Sequence, residues 1–203
     1  IHNSDYMISK KLLISLLFIS LIVSINCVNA VDNSDWKTVK INNVDFKLPP
    51  KYQEGKLNKG TYMINNIFTF GIRCVDSNIS YMYGSDYNFK AKNLTVGTHD
   101  VSYITEYVDV VNHNVSYAYF ASGDSFYCIS WDGQMNEEIE EMIINTPDSS
   151  YDTDAFYGIL DEARHKYDDK QADKEKSIEY EDRLIREKYY NHFYYYPYGY
   201  YWY

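Results

Sequence analysis

Chemistry in this chain would have to come from a small set of side chains: three cysteines, five histidines and 29 carboxylates among 203 residues. Imidazole and thiolate are the usual nucleophiles, bases and metal ligands, so their spacing carries information. His99, His113, His165 and His192 are widely scattered, and none stands in the His-Glu-x-x-His spacing that puts two imidazoles on one helical face. His99-Asp100 and His113 are expected near each other at adjacent strand ends, in turn or surface roles rather than as metal ligands. No phosphate loop, dinucleotide fingerprint or nucleophile elbow is present. Gly84-Ser85-Asp86 and Ser122-Gly123-Asp124 read as turns. Asp148, Asp152 and Asp154 offer oxygen ligands, but the segment lacks the glycine and terminal glutamate of a calcium loop and reads as a solvated linker. Asp109 and Asp132 are carboxylates a hydrolase could use, although spacing pairs them with nothing. The expectation is a chain with no catalytic, cofactor-binding or metal-binding residues and no cofactor.

The two remaining chemical signals depend on where the protein goes. Lys10 and Lys11 form a basic start, Leu12 to Ile25 is an apolar run broken by Ser15, Ser20 and Ser24, and Val28-Asn29-Ala30 fits a small-residue cleavage site. This pattern predicts a secretory signal over residues 1–30, with Met7 as its natural start and residues 1–6 an untranslated extension. The apolar run falls short of the ~20 residues that a permanent span needs. An uncleaved signal anchor that tethers the protein to the membrane is the alternative. Asn26 before Cys27 argues against lipid attachment there. Cleavage leaves Cys74 and Cys128, and an even count in an exported chain predicts a disulfide, against the alternative of two buried free thiols. Asn78-Ile79-Ser80, Asn93-Leu94-Thr95 and Asn114-Val115-Ser116 are glycosylation sequons, so Asn78, Asn93 and Asn114 are expected on a secreted or cell-surface domain.

The elements that would position these residues lie in 31–147. Trp36 to Ile41 and Val44 to Leu48 flank Asn42-Asn43 as a hairpin, and Pro49-Pro50 ends it. Asn65-Asn66 repeats the device between Thr61 to Ile64 and Ile67 to Val75. In the latter Phe68, Phe70, Ile72 and Cys74 alternate with polar or small residues, which points Cys74 to the core. Residues 76–97, rich in Tyr, Asn and Ser, read as loop. Val101 to Val110, Val115 to Ala121 and Ser125 to Trp131 predict an antiparallel meander. Met135, Ile139, Met142 and Ile143 then form one helical stripe opposite Glu137, Glu138, Glu140 and Glu141.

Beyond Pro147 the chain changes character. Residues 148–188 are read as a linker and a charged helix supported by the pairs Glu162–Lys166, Glu179–Arg183 and Asp182–Arg186. Its first apolar turn, around Phe156, Ile159, Leu160 and Ala163, is expected to dock and the rest to project. No sustained heptad predicts a coiled coil. Residues 189–203 form a disordered, low-complexity tail whose Tyr194, Tyr195, Tyr196, Tyr198, Tyr200, Tyr201, Trp202 and Tyr203 suit a half-wet interface with an envelope polymer or protein. The net charge of −10 speaks against a nucleic acid as main partner.

The stretches DWKTVKINNVDFKLPPKY, YFASGDSFYCISWDG and NEEIEEMI resemble small secreted proteins of unassigned function from methane-producing archaea. More loosely, the opening hairpin, meander and terminal helix of residues 36–145 resemble the Mog1/PsbP-like fold. That resemblance implies a binding or assembly factor and supplies no catalytic residues. The expected fold is α+β: an antiparallel meander sheet with a packed helix, then a long charged helix. The expected function is a non-catalytic envelope binding or scaffold protein, and the alternative is a secreted hydrolase of envelope polymers.

Overall fold

Asn42 adopts the left-handed backbone region, with φ 54°, and this sets the first hairpin. β1 (Lys37–Ile41) and β2 (Val44–Leu48) pair antiparallel with Ile41 opposite Val44. Ile41, Val44, Phe46 and Leu48 are buried, and Asp45 between them is exposed. The computed structural model describes residues 31–85 and 91–194, with side chains through Tyr189. The chain divides into two compact units, Ile1–Asp35 and Trp36–Tyr203. Of the first, residues 31–35 are described and end in a turn where Ser34 N–H donates to Asp32 Oδ1 at 3.1 Å. The expected signal segment, 1–30, lies outside the described residues.

The second unit is an α+β structure built on seven antiparallel strands. They are β3 (Lys56–Asn58), β4 (Thr61–Ile64), β5 (Phe70–Cys74), β6 (Lys92–Val96), β7 (His99–Val108), β8 (His113–Ser122) and β9 (Ser125–Asp132), in the order β3-β4-β5-β9-β8-β7-β6. The expected meander is β7–β8–β9, with Ser122 opposite Ser125 across the Gly123 turn. β5 starts later than its alternation suggests. Asn66 Oδ1 accepts the Phe68 and Thr69 N–H groups at 2.9 and 3.0 Å, and this side-chain turn takes the backbone out of the ladder. β3 and the Lys59-Gly60 turn add a short edge strand that the sequence pattern did not signal.

Residues 76–97 are not mostly loop. They contain α1 (Ile79–Gly84) and the edge strand β6. A six-residue helix is too short to be stable alone, and tertiary contact holds it. Tyr83 meets Tyr119 edge-on at 5.1 Å, and Tyr119 Oη donates to the Met82 carbonyl at 2.9 Å.

Two apolar layers cover the sheet. On one face the hairpin residues Phe46 and Leu48 join Ile139, Met142 and Ile143 of α2 (Glu137–Ile144) over Phe70, Ile72, Phe120, Ile129 and Trp131. The Asn136 side chain caps α2 by accepting the Glu138 and Ile139 N–H groups. On the other face Phe156 and Leu160 of α3 (Thr153–Tyr194) pack over Val75, Ala121, Phe126 and Cys128. The expected linker before α3 is tied down: Gly123 N–H donates to the Asp148 carbonyl, and Ser150 N–H donates back to the Gly123 carbonyl, both at 3.0 Å. The Glu162–Lys166 pair forms at 2.6 Å. α3 runs to Tyr194, six residues into the segment expected to lack regular structure. Residues 195–203 lie outside the described residues.

Two stability measurements follow from this packing. Phe46 is fully buried and meets Phe120 and Tyr127 edge-on, so Phe46→Ala lowers the unfolding free energy by about 3–5 kcal/mol in a urea titration. Tyr127 has its hydroxyl ionisation pushed up to about 12, by burial first and then by the Cys74 and Asp76 charges. Its unfolded value is near 10, so the folded state resists ionisation. Stability is intact below about pH 10 and is lost as pH rises from there through the folded value. Tyr127→Phe flattens that alkaline limb, as read by unfolding midpoints between pH 9 and 12.

Candidate functional site

The register of β5 against β9 decides the cysteine question. Arg73 stands opposite Cys128, and Cys74 stands opposite Tyr127. Successive strand residues point to opposite faces, so the two thiols lie on opposite sides of the sheet. Both are free. The expected Cys74–Cys128 disulfide is therefore not formed, because each cysteine faces a core but not the same core. Cys74 is half-buried: it accepts from Asn42 Nδ2 at 3.4 Å and donates to Asp76 Oδ2 at 3.2 Å. Burial pushes its thiol up, and the Asp76 charge acts in the same direction. Cys128 is fully buried and lies 3.8 Å from Arg73 Nη2. Burial works against the Arg73 charge, but Cys128, Tyr119 and Tyr117 favour it, and the balance is upward.

The histidines do not converge. His99 and His113 sit at opposite ends of the β7–β8 ladder, where His113 faces Val108. His99 is a core residue rather than a turn residue: Nδ1 lies 3.0 Å from the Ala121 carbonyl and Nε2 lies 3.3 Å from Thr146 Oγ1. His113 Nε2 is 3.7 Å from Asp132 Oδ1, so Asp132 finds an imidazole rather than Asp109. That nitrogen is buried, and among the described residues it has no hydrogen-bond partner, hydroxyl or thiol included. His165 is exposed, 3.4 Å from Asp161 on α3. Asp148 Oδ1 accepts from Thr98 Oγ1, and Asp152 Oδ1 accepts the Ala155 N–H at 2.8 Å as a helix cap. Among the described residues, no three His, Cys, Asp or Glu side chains could share a metal ion. Asn78, Asn93 and Asn114 are all exposed.

What the fold does assemble is a groove where α1 crosses α3. Ser80 and Tyr81 line one wall, and Lys166, Tyr167, Lys170, Gln171 and Lys174 line the other, around about 380 Å³. Gly84 makes this approach possible, since a Cβ there would fall on the Tyr167 side chain, 2.7 Å from its Cγ. Lys166, Lys170 and Lys174 recur at four-residue steps, which puts them along one side of the helix. Lys166 is held by Glu162. No carboxylate stands among the described residues that line the groove. The sequence signal was there in the lysine spacing, but it is masked by the mixed charge of the helix as a whole, and Tyr81 lies in the segment read as loop. The lining is cationic and aromatic, with a hydroxyl at Ser80 and an amide at Gln171, a set of groups that suits binding.

Compared with models of protein families, with curated proteins and with solved structures, the chain matches none. Among the described residues, no helix is long and apolar enough to cross a membrane.

Thiol labelling checks the cysteine geometry. Unfolded without reductant, the protein exposes reactive thiols at both Cys74 and Cys128. In the native state Cys128 is protected, and Cys74 reacts with a pH profile displaced above that of free cysteine. A failure to label the unfolded protein would restore the bridge.

Proposed function

We propose that this chain is an exported, non-catalytic binding module of the cell envelope, in which the covered sheet is a platform for a projecting helix. The observation that carries this reading is the burial along α3. Phe156, Leu160 and Ala163 are buried, Tyr167 and Gln171 are half-buried, and every residue from Ala172 to Tyr189 is exposed. Residues 172–194 extend roughly 35 Å at the helical rise. That arm carries Ile178, Leu184, Ile185 and Tyr189 in water, and clustered exposed apolar side chains mark interaction surfaces. The aromatic segment that follows, Tyr194 to Tyr203, extends the same chemistry. Export rests on the signal pattern of residues 1–30, and the exposed sequon asparagines agree with it. The hydrolase alternative draws on Asp109 and Asp132; Asp132 lies beside His113, whose nitrogen meets no hydroxyl or thiol among the described residues.

Truncation after Ser177 tests the platform reading. In an export-competent host the full chain partitions with the envelope fraction. The truncated chain is released from it, and its urea midpoint stays close to that of the full chain. A clear fall in the midpoint would make the arm part of the fold. Unchanged retention would remove it as the binding element.

A further inference from the structure

We infer that the groove between α1 and α3 is a binding site for a short acidic saccharide, one to three sugar rings carrying a carboxylate. This rests on the binding-module reading and names a ligand class for it. In a chain with a net charge of −10, the groove concentrates three lysines, and no carboxylate is among its described lining residues. Lys170 and Lys174 have no ion-pair partner among the described residues, so their charge is available, whereas Lys166 is shared with Glu162. An isolated cationic strip in a negative surface calls for an anion.

The rest of the lining sets the kind of anion. Tyr81 is 65 % exposed and Tyr167 half-buried, so the groove offers aromatic surface beside the ammonium groups. A sugar ring presents apolar C–H faces to an aromatic ring and hydroxyls to polar groups such as Ser80 and Gln171. Lysines one helical step of four apart stand ~6 Å apart along the axis, about one sugar residue. Size and surroundings keep the ligand short. The volume of about 380 Å³ is that of a small-molecule site. Asp161, Asp168, Asp169 and Asp173 on the same helix would repel an extended polyanion, nucleic acid included.

Trigalacturonate is the probe, with neutral cellotriose and inorganic phosphate as controls. The measurement is calorimetric titration of the full chain, made in a host that does not glycosylate, so that no sugar on Asn78 competes. The expected result is saturable binding of trigalacturonate that weakens with salt and exceeds that of either control at least tenfold. Lys170→Gln/Lys174→Gln weakens it at least tenfold, and Tyr81→Ala weakens it several-fold. All three positions are open to solvent, and circular dichroism verifies that the variants fold. No binding of trigalacturonate, or binding indifferent to the lysine pair, overturns the site. Equal binding of phosphate together with indifference to Tyr81→Ala reduces it to a patch of charge and also overturns the saccharide assignment. Envelope partitioning of the Lys170→Gln/Lys174→Gln chain separates the two readings, since retention through the arm persists when the groove is disabled.

Discussion

A sheet whose central strands are buried on both faces governs everything else in the folded unit. In β8 every residue from Val115 to Ser122 is buried, and in β9 so is every residue from Phe126 to Trp131. Such strands cannot rest one face in water, so the chain must supply two separate covers. The β1–β2 hairpin and α2 form one, and α1 with the first turns of α3 forms the other. The side chains of β8 show the consequence, with Ser116, Ala118 and Phe120 on the hairpin side and Val115, Tyr117, Tyr119 and Ala121 on the helix side.

Polar groups inside this double core act as fasteners for the connections. The Ser130 hydroxyl donates to the Ile67 carbonyl at 2.6 Å, and the Ser122 hydroxyl donates to the Pro147 carbonyl at 2.8 Å. The Ser116 hydroxyl reaches the Gly133 carbonyl at 2.5 Å, and Trp131 Nε1–H donates to the Gln134 carbonyl at 2.9 Å. Each joins a sheet residue to backbone that would otherwise be free to move, and each satisfies a group that burial would penalise by about 1–3 kcal/mol. His99 belongs to the same set, bridging the Ala121 carbonyl and Thr146. A histidine expected at a turn or on the surface is thereby committed to the core.

Local periodicity was enough to find the hairpin, the β7–β8–β9 meander, the α2 stripe and the docking turns of α3, because those elements carry their burial pattern in contiguous residues. It could not supply information that depends on distant partners. Alternation placed Cys74 inward, but which face it and Cys128 meet depends on pairing Arg73 rather than Cys74 with Cys128 across β5 and β9. α1 escaped for a related reason: Ile79 to Gly84 has no side-chain cap, and what stabilises it is Tyr119, Ser102 and Tyr167 from elsewhere in the chain. The candidate groove inherits that dependence. Its lysines were readable as a spacing on one helix, but their meaning required knowing that Tyr81 lies across from them.

The long helix resolves the tension between a docked base and an exposed arm through one continuous face. Phe156, Leu160, Ala163, Tyr167 and Gln171 follow steps of three and four, and the same progression continues through Lys174, Ile178, Asp182, Ile185 and Tyr189. The side of α3 that packs on the sheet is thus the side that carries apolar residues beyond it. The steps repeat over eleven residues rather than seven, so the absence of a heptad is compatible with a long apolar face. Lys174 and Asp182 interrupt that face with charge, which limits how strongly bare helices could zip together along it. The result is a helix whose inner half is fixed by its own sheet and whose outer half keeps the same chemistry exposed, with the basic groove lying where the two halves meet.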